Sequence, residues 1–232
     1  MSIFSYHLVE LPRVVAIRGM FLKPIAKNTK GLIHAEYMMA MTLGSPILSP
    51  SRILIKQIAV FAQWESETAL DEFLRGDKFG RRLAKGWQVR LEFLRQWGKY
   101  DAFKIPEQTA KVEDTSPVVA VTIARMKPLE VPRFIQWGRP VEKLVRDHPG
   151  TTLSLASYSF PHTVSTFSIW KTEKEMTDMV HGHSAIRKPK RHADAMKERA
   201  RKNFHFEFTT LRFKPIAEFG TWRGQQNIVP KL

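Results

Sequence analysis

Residues 167–196, FSIWKTEKEMTDMVHGHSAIRKPKRHADAM, bring His181, His183 and His192 together with Trp170 and a dense run of cations. Histidines set among cations can hold a cofactor or metal, bind a polyanion, or merely cover a core. His181 and His183 form an H-x-H pair. Such a pair faces one side of a strand but diverges by about 200° on a helix, so it serves a metal only if the helix has ended by Gly182. No third ligand follows at a suitable spacing, and a helix-end role is the expectation. The remaining cluster is Arg187, Lys188, Lys190 and Arg191, then Lys197, Arg199, Arg201 and Lys202, interleaved with Asp194 and Glu198. It reads first as a solvated helix face beside a basic loop.

The whole chain is basic, with a formal net charge of +15 over 232 residues, which draws it toward anionic membranes, nucleic acids or acidic ligands. Aromatic residues are scarce inside the basic run, so the stacking platforms of a single-strand binder are missing there and nucleic acid is not the expected partner. Cysteine is absent, which excludes disulfides, thiolate metal sites and cysteine nucleophiles. G-x-G-x-x-G, G-x-x-x-x-G-K and G-x-S-x-G patterns are absent too, removing the common phosphate loops and the nucleophile elbow. Hydrophobic residues make up 43% of the chain, ample for a packed core. The N-terminus lacks the order of a secretory signal, and no run of about 18 uncharged apolar residues occurs. The expectation is a soluble, cytoplasmic protein.

A duplicated unit positions the cluster. FAQWESETALDEFLRG (61–76) aligns without a gap to FSIWKTEKEMTDMVHG (167–182) at an offset of 106, matching Phe61 with Phe167, Trp64 with Trp170, Glu67 with Glu173 and Gly76 with Gly182. A β-branched, alternating strand precedes each tryptophan, and a short helix ending at glycine follows it. Leu91-Glu-Phe93 matches Leu211-Arg-Phe213 at an offset of 120, leaving 14 extra residues in the second copy. Those extra residues contain the basic, histidine-bearing segment. Upstream, IFSYHLVEL and PVVAVTIARM each lead into a helical stretch. Strand, helix, strand, strand, helix, strand is thus read twice. The four tryptophan-strand aromatics, Phe61, Trp64, Phe167 and Trp170, are expected in the core, since both copies carry them.

The expected fold is α+β, with two tandem ferredoxin-like repeats forming an intramolecular dimeric α/β barrel. Residues 1–103 form the first repeat, 104–117 a polar linker, and 118–232 the second repeat with its basic insertion. GSPILSPS (44–51) reads as a connection between strands. A pocket between sheet and helices suits an apolar or planar ligand.

TFSIW followed by a helix, HADAM opening the next helix, and LRFKPIAEFGTW (211–222) resemble the spheroidene monooxygenase-like proteins of carotenoid biosynthesis, within the dimeric α/β-barrel superfamily. SPILSPSRILIKQIAVFAQW occupies the family's place for a proline-containing entry to the corresponding strand of the first repeat. The resemblance implies a haem-containing oxygenase that inserts oxygen into a long polyene. The insertion GHSAIRKPKR and the high charge depart from the family pattern and leave the substrate open.

An axial haem ligand needs a neutral imidazole whose second nitrogen is held by a neighbour. His192 is the leading choice, because it opens a helix beside Ala193, Met196, Ala200 and Phe204 at helical spacing and holds the HA position of the resembled motif. His162, at the start of a strand, is the second. Arg187, Lys190 and Arg191 would neutralise the propionates through charge-assisted bonds. The leading reading is a haem-dependent monooxygenase-like protein with an apolar, carotenoid-type substrate. It needs an external electron donor, because no flavin or nicotinamide motif occurs. A cationic surface would also favour peripheral contact with an anionic membrane. The rivals are a non-catalytic haem or apolar-ligand carrier or sensor on the same barrel, and a basic nucleic-acid-binding protein.

Overall fold

A computed structural model describes residues 2–21, 25–46, 49, 52–107 and 113–230. The expected linker and the 44–51 connection lie partly outside the described residues.

The first half runs β1 (Ile3–Glu10), α1 (Arg13–Phe21), β2 (Leu32–Met41), β3 (Ile53–Trp64), α2 (Glu67–Gly76), α3 (Gly80–Leu83) and β4 (Trp87–Lys99). The second runs β5 (Val118–Met126), α4 (Val131–Arg146), β6 (Thr151–Ser159), β7 (Thr163–Trp170), α5 (Glu173–His181), α6 (Arg191–Arg201) and β8 (His205–Phe219). Among the described residues the strands close into an antiparallel barrel in the order β1-β3-β2-β6-β7-β5-β8-β4. Each half therefore contributes four adjacent strands with the outer pair sequence β4-β1-β3-β2 or β8-β5-β7-β6. The halves are joined by β2 pairing with β6 and β4 with β8.

Alternation along the strands sends every second residue inward. Phe4, Tyr6 and Leu8 of β1, Phe61 of β3, Leu91 and Phe93 of β4, Phe167 of β7 and Phe213 of β8 fill the barrel, all buried. Tyr6 stacks on Phe167 with ring centroids 3.8 Å apart, and Phe4 lies 4.9 Å from Phe213. The barrel interior is a packed core in which aromatic residues of both halves interlock. Trp64 and Trp170, on the other face of their strands, are also buried, each indole N–H donating to a serine, Ser5 and Ser168 respectively. The aromatic strand residues are thus structural, as their recurrence at an offset of 106 implies.

The helices after these strands start alike. Ser66 accepts from the Ala69 N–H, and Thr172 from the Glu175 N–H, which satisfies donors that a helix start leaves unpaired. Gly182 ends α5 in the left-handed conformation, φ 79°, a geometry that glycine adopts without a Cβ clash.

Strand register corrects the alignment of the last strands. Phe4 and Ser5 pair with Leu91 and Arg90, while Val119 and Ala120 pair with Phe213 and Arg212. Arg90 therefore corresponds to Arg212, an offset of 122. Against the offset of 106 upstream, the second half carries 16 extra residues instead of 14. The short Leu-x-Phe match misleads because both strands alternate hydrophobic residues at period two, so a slip of two preserves the pattern. With this register the two halves share an ion pair: Arg90 meets Glu67 and Asp71, and Arg212 meets Glu173 at 2.5 Å.

Candidate ligand groove

The outer, helix-covered faces of the two sheets differ. In the first half one row across the sheet reads Tyr37, Val60, His7 and Gln88, paired strand to strand and all buried. Around it Leu32, Ile58, Trp64, Leu70, Phe73, Leu74 and Leu83 form a single continuous apolar cluster under α1, α2 and α3. The corresponding row of the second half reads Ala156, Thr166, Thr122 and Thr210. Its three threonines are half-buried, and the Thr122 and Thr210 hydroxyls lie 3.2 Å apart.

This row divides the helix-side core of the second half. One cluster gathers Val118, Leu144, Trp170, Met176 and Met179 with Val145, Val180 and Ile186. Another gathers Ala124, Met126 and Phe204 with Phe134, Trp137, Val164 and Phe208. Helix α4 contributes to both, and its residues 137–143 between them are half-buried. Pro140 lies inside that span, where the ring removes one helical hydrogen bond. Helix α6 crosses the same gap, from His192 beside Val180 to Phe204 just past its end. Tyr37, His7 and Gln88 in the first half thus face the smaller Ala156, Thr122 and Thr210 at the corresponding places of the second, while Val60 and Thr166 are alike in size.

Of the expected site residues, His192 lies against the first of these clusters, beside Val180. It sits in the first turn of α6, and its Nδ1 lies 3.1 Å from the Val180 carbonyl oxygen. A carbonyl only accepts, so Nδ1 carries the proton and Nε2 keeps a free lone pair. Burial lowers its pKa, the Val180 bond opposes that, and the charge of His181 adds to the lowering. A neutral imidazole with its second nitrogen committed has the form an iron ligand requires. On this donor chemistry the residues present fit haem.

Of the other expected site residues, Arg191 precedes His192 in the chain and His181 lies close enough for its charge to act on it. His162 stands at the end of the β6–β7 hairpin, half-buried, with its ring 6.2 Å from the exposed Phe206. Arg187 and Lys190 are exposed in the loop between α5 and α6, and Arg191 is half-buried at the start of α6. His181 and His183 are exposed with ring centroids 6.0 Å apart. Among the described residues no group of three histidine or acidic side chains could hold a metal ion.

Two further residues lie at the second cluster: Arg199, expected only as part of the basic, solvated face, and His205, which the sequence did not mark. Arg199 is seven residues beyond His192, two turns along the same helix face, and its guanidinium carbon lies 3.7 Å from the centre of the Phe208 ring. His205, the first residue of β8, is 2% exposed. The seven-residue spacing was the signal available for Arg199; nothing local marked His205. A separate cleft of about 680 Å³, lined by Thr115, Thr152, Lys171, Thr172 and Gln225–Ile228, contains no histidine or carboxylate.

No protein-family model matches the chain. The fold is shared with an aldoxime dehydratase solved in complex with butyraldoxime, at 7% identity and a TM-score of 0.54, covering 98% of this chain and 85% of that one. A second aldoxime dehydratase aligns at 8% identity and a TM-score of 0.51, covering 92% and 81%. Among curated proteins, the spheroidene monooxygenase of Cereibacter sphaeroides is 24% identical over 177 residues, 73% of this chain and 52% of that protein. The spheroidene monooxygenase of Rhodobacter capsulatus is 27% identical over 140 residues, 59% of this chain and 54% of that protein. The chain thus spans about half the length of the curated relatives it matches. Both matches agree with the resemblance carried by TFSIW, HADAM and LRFKPIAEFGTW, and together they support a spheroidene monooxygenase-like family for this chain.

Proposed function

We propose that this protein is a haem-dependent monooxygenase-like enzyme acting on an apolar substrate of the carotenoid class, built from two tandem ferredoxin-like repeats. The observation that carries the reading is the helix-side row of the second half, where Ala156, Thr122 and Thr210 replace the larger Tyr37, His7 and Gln88, and this row would floor a ligand groove under the helices. A flat, largely apolar ligand needs such a slot between sheet and helices. The shared Arg90–Glu67 and Arg212–Glu173 pairs support duplication, with one copy kept as scaffold and the other opened for a ligand.

His192 would hold the haem through Nε2, with Val180 fixing the ring tautomer and orientation. Arg187, Lys190 and Arg191 flank that ligand in sequence and supply cations for its carboxylates at the rim. Bound haem would supply a redox-active iron for dioxygen activation, with electrons from an external donor. The Phe134–Trp137–Phe208 cluster beside the threonine row would offer the substrate an apolar wall.

Peripheral contact with an anionic membrane fits the same reading, since a polyene partitions into lipid. Leu129, Phe160 and Phe206 are 95%, 70% and 63% exposed, and Lys127, two residues before Leu129, donates its backbone N–H to the Phe204 carbonyl, two residues before Phe206. Apolar tips beside cations are the features that seat a protein in an anionic interface. Co-sedimentation with anionic but not neutral vesicles tests this, and equal pelleting with both would remove it.

The decisive experiment for the whole reading is titration of the purified protein with haem, followed by its Soret absorption. Saturable one-to-one binding supports it, and absence of specific binding overturns it.

A further inference from the structure

Beside Phe204 and Phe208 the side chains of His205 and Arg199 carry buried nitrogens without partners. Neither ring nitrogen of His205 has a hydrogen-bond partner, and the Nε of Arg199 has none either. The His205 ring is enclosed by Phe134, Phe204 and Phe208, with centroid distances of 5.6, 5.7 and 5.0 Å. The nearby carboxylates are already engaged. Glu198 pairs with Arg133 and Arg201, Glu130 with Arg133 and Lys202, and Glu207 with Arg125. Among the described residues Arg199 has no ion pair; its guanidinium rests on the Phe208 ring.

Leaving such groups unsatisfied is costly, more so for a charged one. A fold that concentrates two of them inside an aromatic cage gains when a third party satisfies them. Burial, then the charges of Arg199 and Lys127, holds the His205 imidazole down at about 4, so at neutral pH it offers one N–H donor beside a cation. One cation, one neutral donor and walls of phenyl rings match an anionic oxygen group on an otherwise apolar molecule.

We propose that Arg199 and His205 form a buried anchor for the carboxylate of a largely apolar ligand occupying the groove. The inference rests on the groove of the preceding reading and is independent of the iron. The carboxylate has two potential sources, the edge of a porphyrin and the acid end of an apolar substrate.

Two pairs of probes separate them: iron protoporphyrin IX against its dimethyl ester, and a fluorescent long-chain fatty acid against its methyl ester. The full chain is expected to bind one or both acids about tenfold or more tighter than the matching ester. Arg199→Leu and His205→Phe should bring that ratio close to one, while circular dichroism reports an intact fold. Should Arg199→Leu fail to fold, Arg199→Gln keeps length and polarity without charge and carries the same expected loss. A preference within the porphyrin pair assigns the anchor to the cofactor, and one confined to the fatty-acid pair assigns it to substrate. A protein that ignores both porphyrins yet selects the fatty acid keeps the anchor while the haem reading fails. Wild-type protein without acid preference in either pair overturns the anchor, even if both porphyrins bind. So does a preference that survives both substitutions.

Discussion

His192 and Val180 tie the first turn of α6 to the last turn of α5, with Nδ1 3.1 Å from the carbonyl oxygen. The bond spans the basic insertion, so the loop of residues 182–190 is closed at its base by the side chain proposed to carry iron. Ligand geometry and loop closure are therefore coupled. Replacing His192 removes both.

His192→Ala is expected to abolish or shift the Soret band of haem-loaded protein while lowering stability by only about 1 kcal/mol, the value of one lost hydrogen bond. His162→Ala and His181→Ala should leave the spectrum close to wild type, because in this reading neither ring ligates the iron and a neighbour only tunes it. Imidazole added to His192→Gly should restore part of the band by filling the vacated space. An unchanged spectrum in His192→Ala would remove this residue as the ligand without touching the groove.

Filling the floor should separate ligand binding from folding. Thr122→Leu and Thr166→Leu enlarge the side chain at two paired, half-buried positions of the row. The melting temperature should hold or rise, since added burial contributes about 25 cal/mol per Å². Haem or fatty-acid affinity should fall by about tenfold or more, as steric exclusion from a preformed pocket requires. Unaltered affinity in the double variant, measured by absorption or fluorescence titration, would place the ligand elsewhere.

Much of the architecture was readable because the same strand–helix pattern recurs in both halves of the chain. Phe61 and Trp64 recur as Phe167 and Trp170, which identifies two strand–helix units before any contact is known. The register of the last strands was not readable to within two residues, because Leu91-Glu-Phe93 and Leu211-Arg-Phe213 alternate with the period of the pleat. The groove was only half visible. Thr166 in place of Val60 can be read from the alignment, but Thr122, Ala156 and Thr210 join it only through strand pairing. His205 could not be recognised from its neighbours in sequence, since the Phe134 that encloses it lies on α4.

Acid should destabilise the protein through its buried histidines. Burial, then the Arg90 charge, lowers the pKa of His7 from 6.5 to about 3, and His205 falls from 6.5 to about 4. Between those folded values and 6.5 the unfolded chain binds more protons than the folded one, so stability rises with pH in that window. It is fully present above 6.5 and is lost as pH falls, by up to about 1.4 kcal/mol per pH unit for each histidine. Urea denaturation at pH 4.5, 5.5 and 7 should show this trend, and His205→Phe should flatten it by one histidine's share. A stability independent of pH from 4.5 to 7 would contradict buried neutral rings at both positions.

The two halves should fold as one unit. The outer edge of β2 is paired only by β6, and that of β4 only by β8, so a fragment ending near Pro106 leaves both edges open. It also strips the partners of the interior rings. Phe4 loses Phe213 at 4.9 Å and Tyr6 loses Phe167 at 3.8 Å, exposing a face on which Phe4, Tyr6, Phe61 and Phe93 are now buried. Open strand edges beside an apolar face lead to pairing with another copy or to collapse without fixed packing. The fragment is accordingly expected to be insoluble, molten or self-paired, as read by sedimentation and dye binding. A monomeric fragment with dispersed NMR resonances would show that the first sheet can satisfy its inner face alone, and the closed barrel would then not be required for its folding.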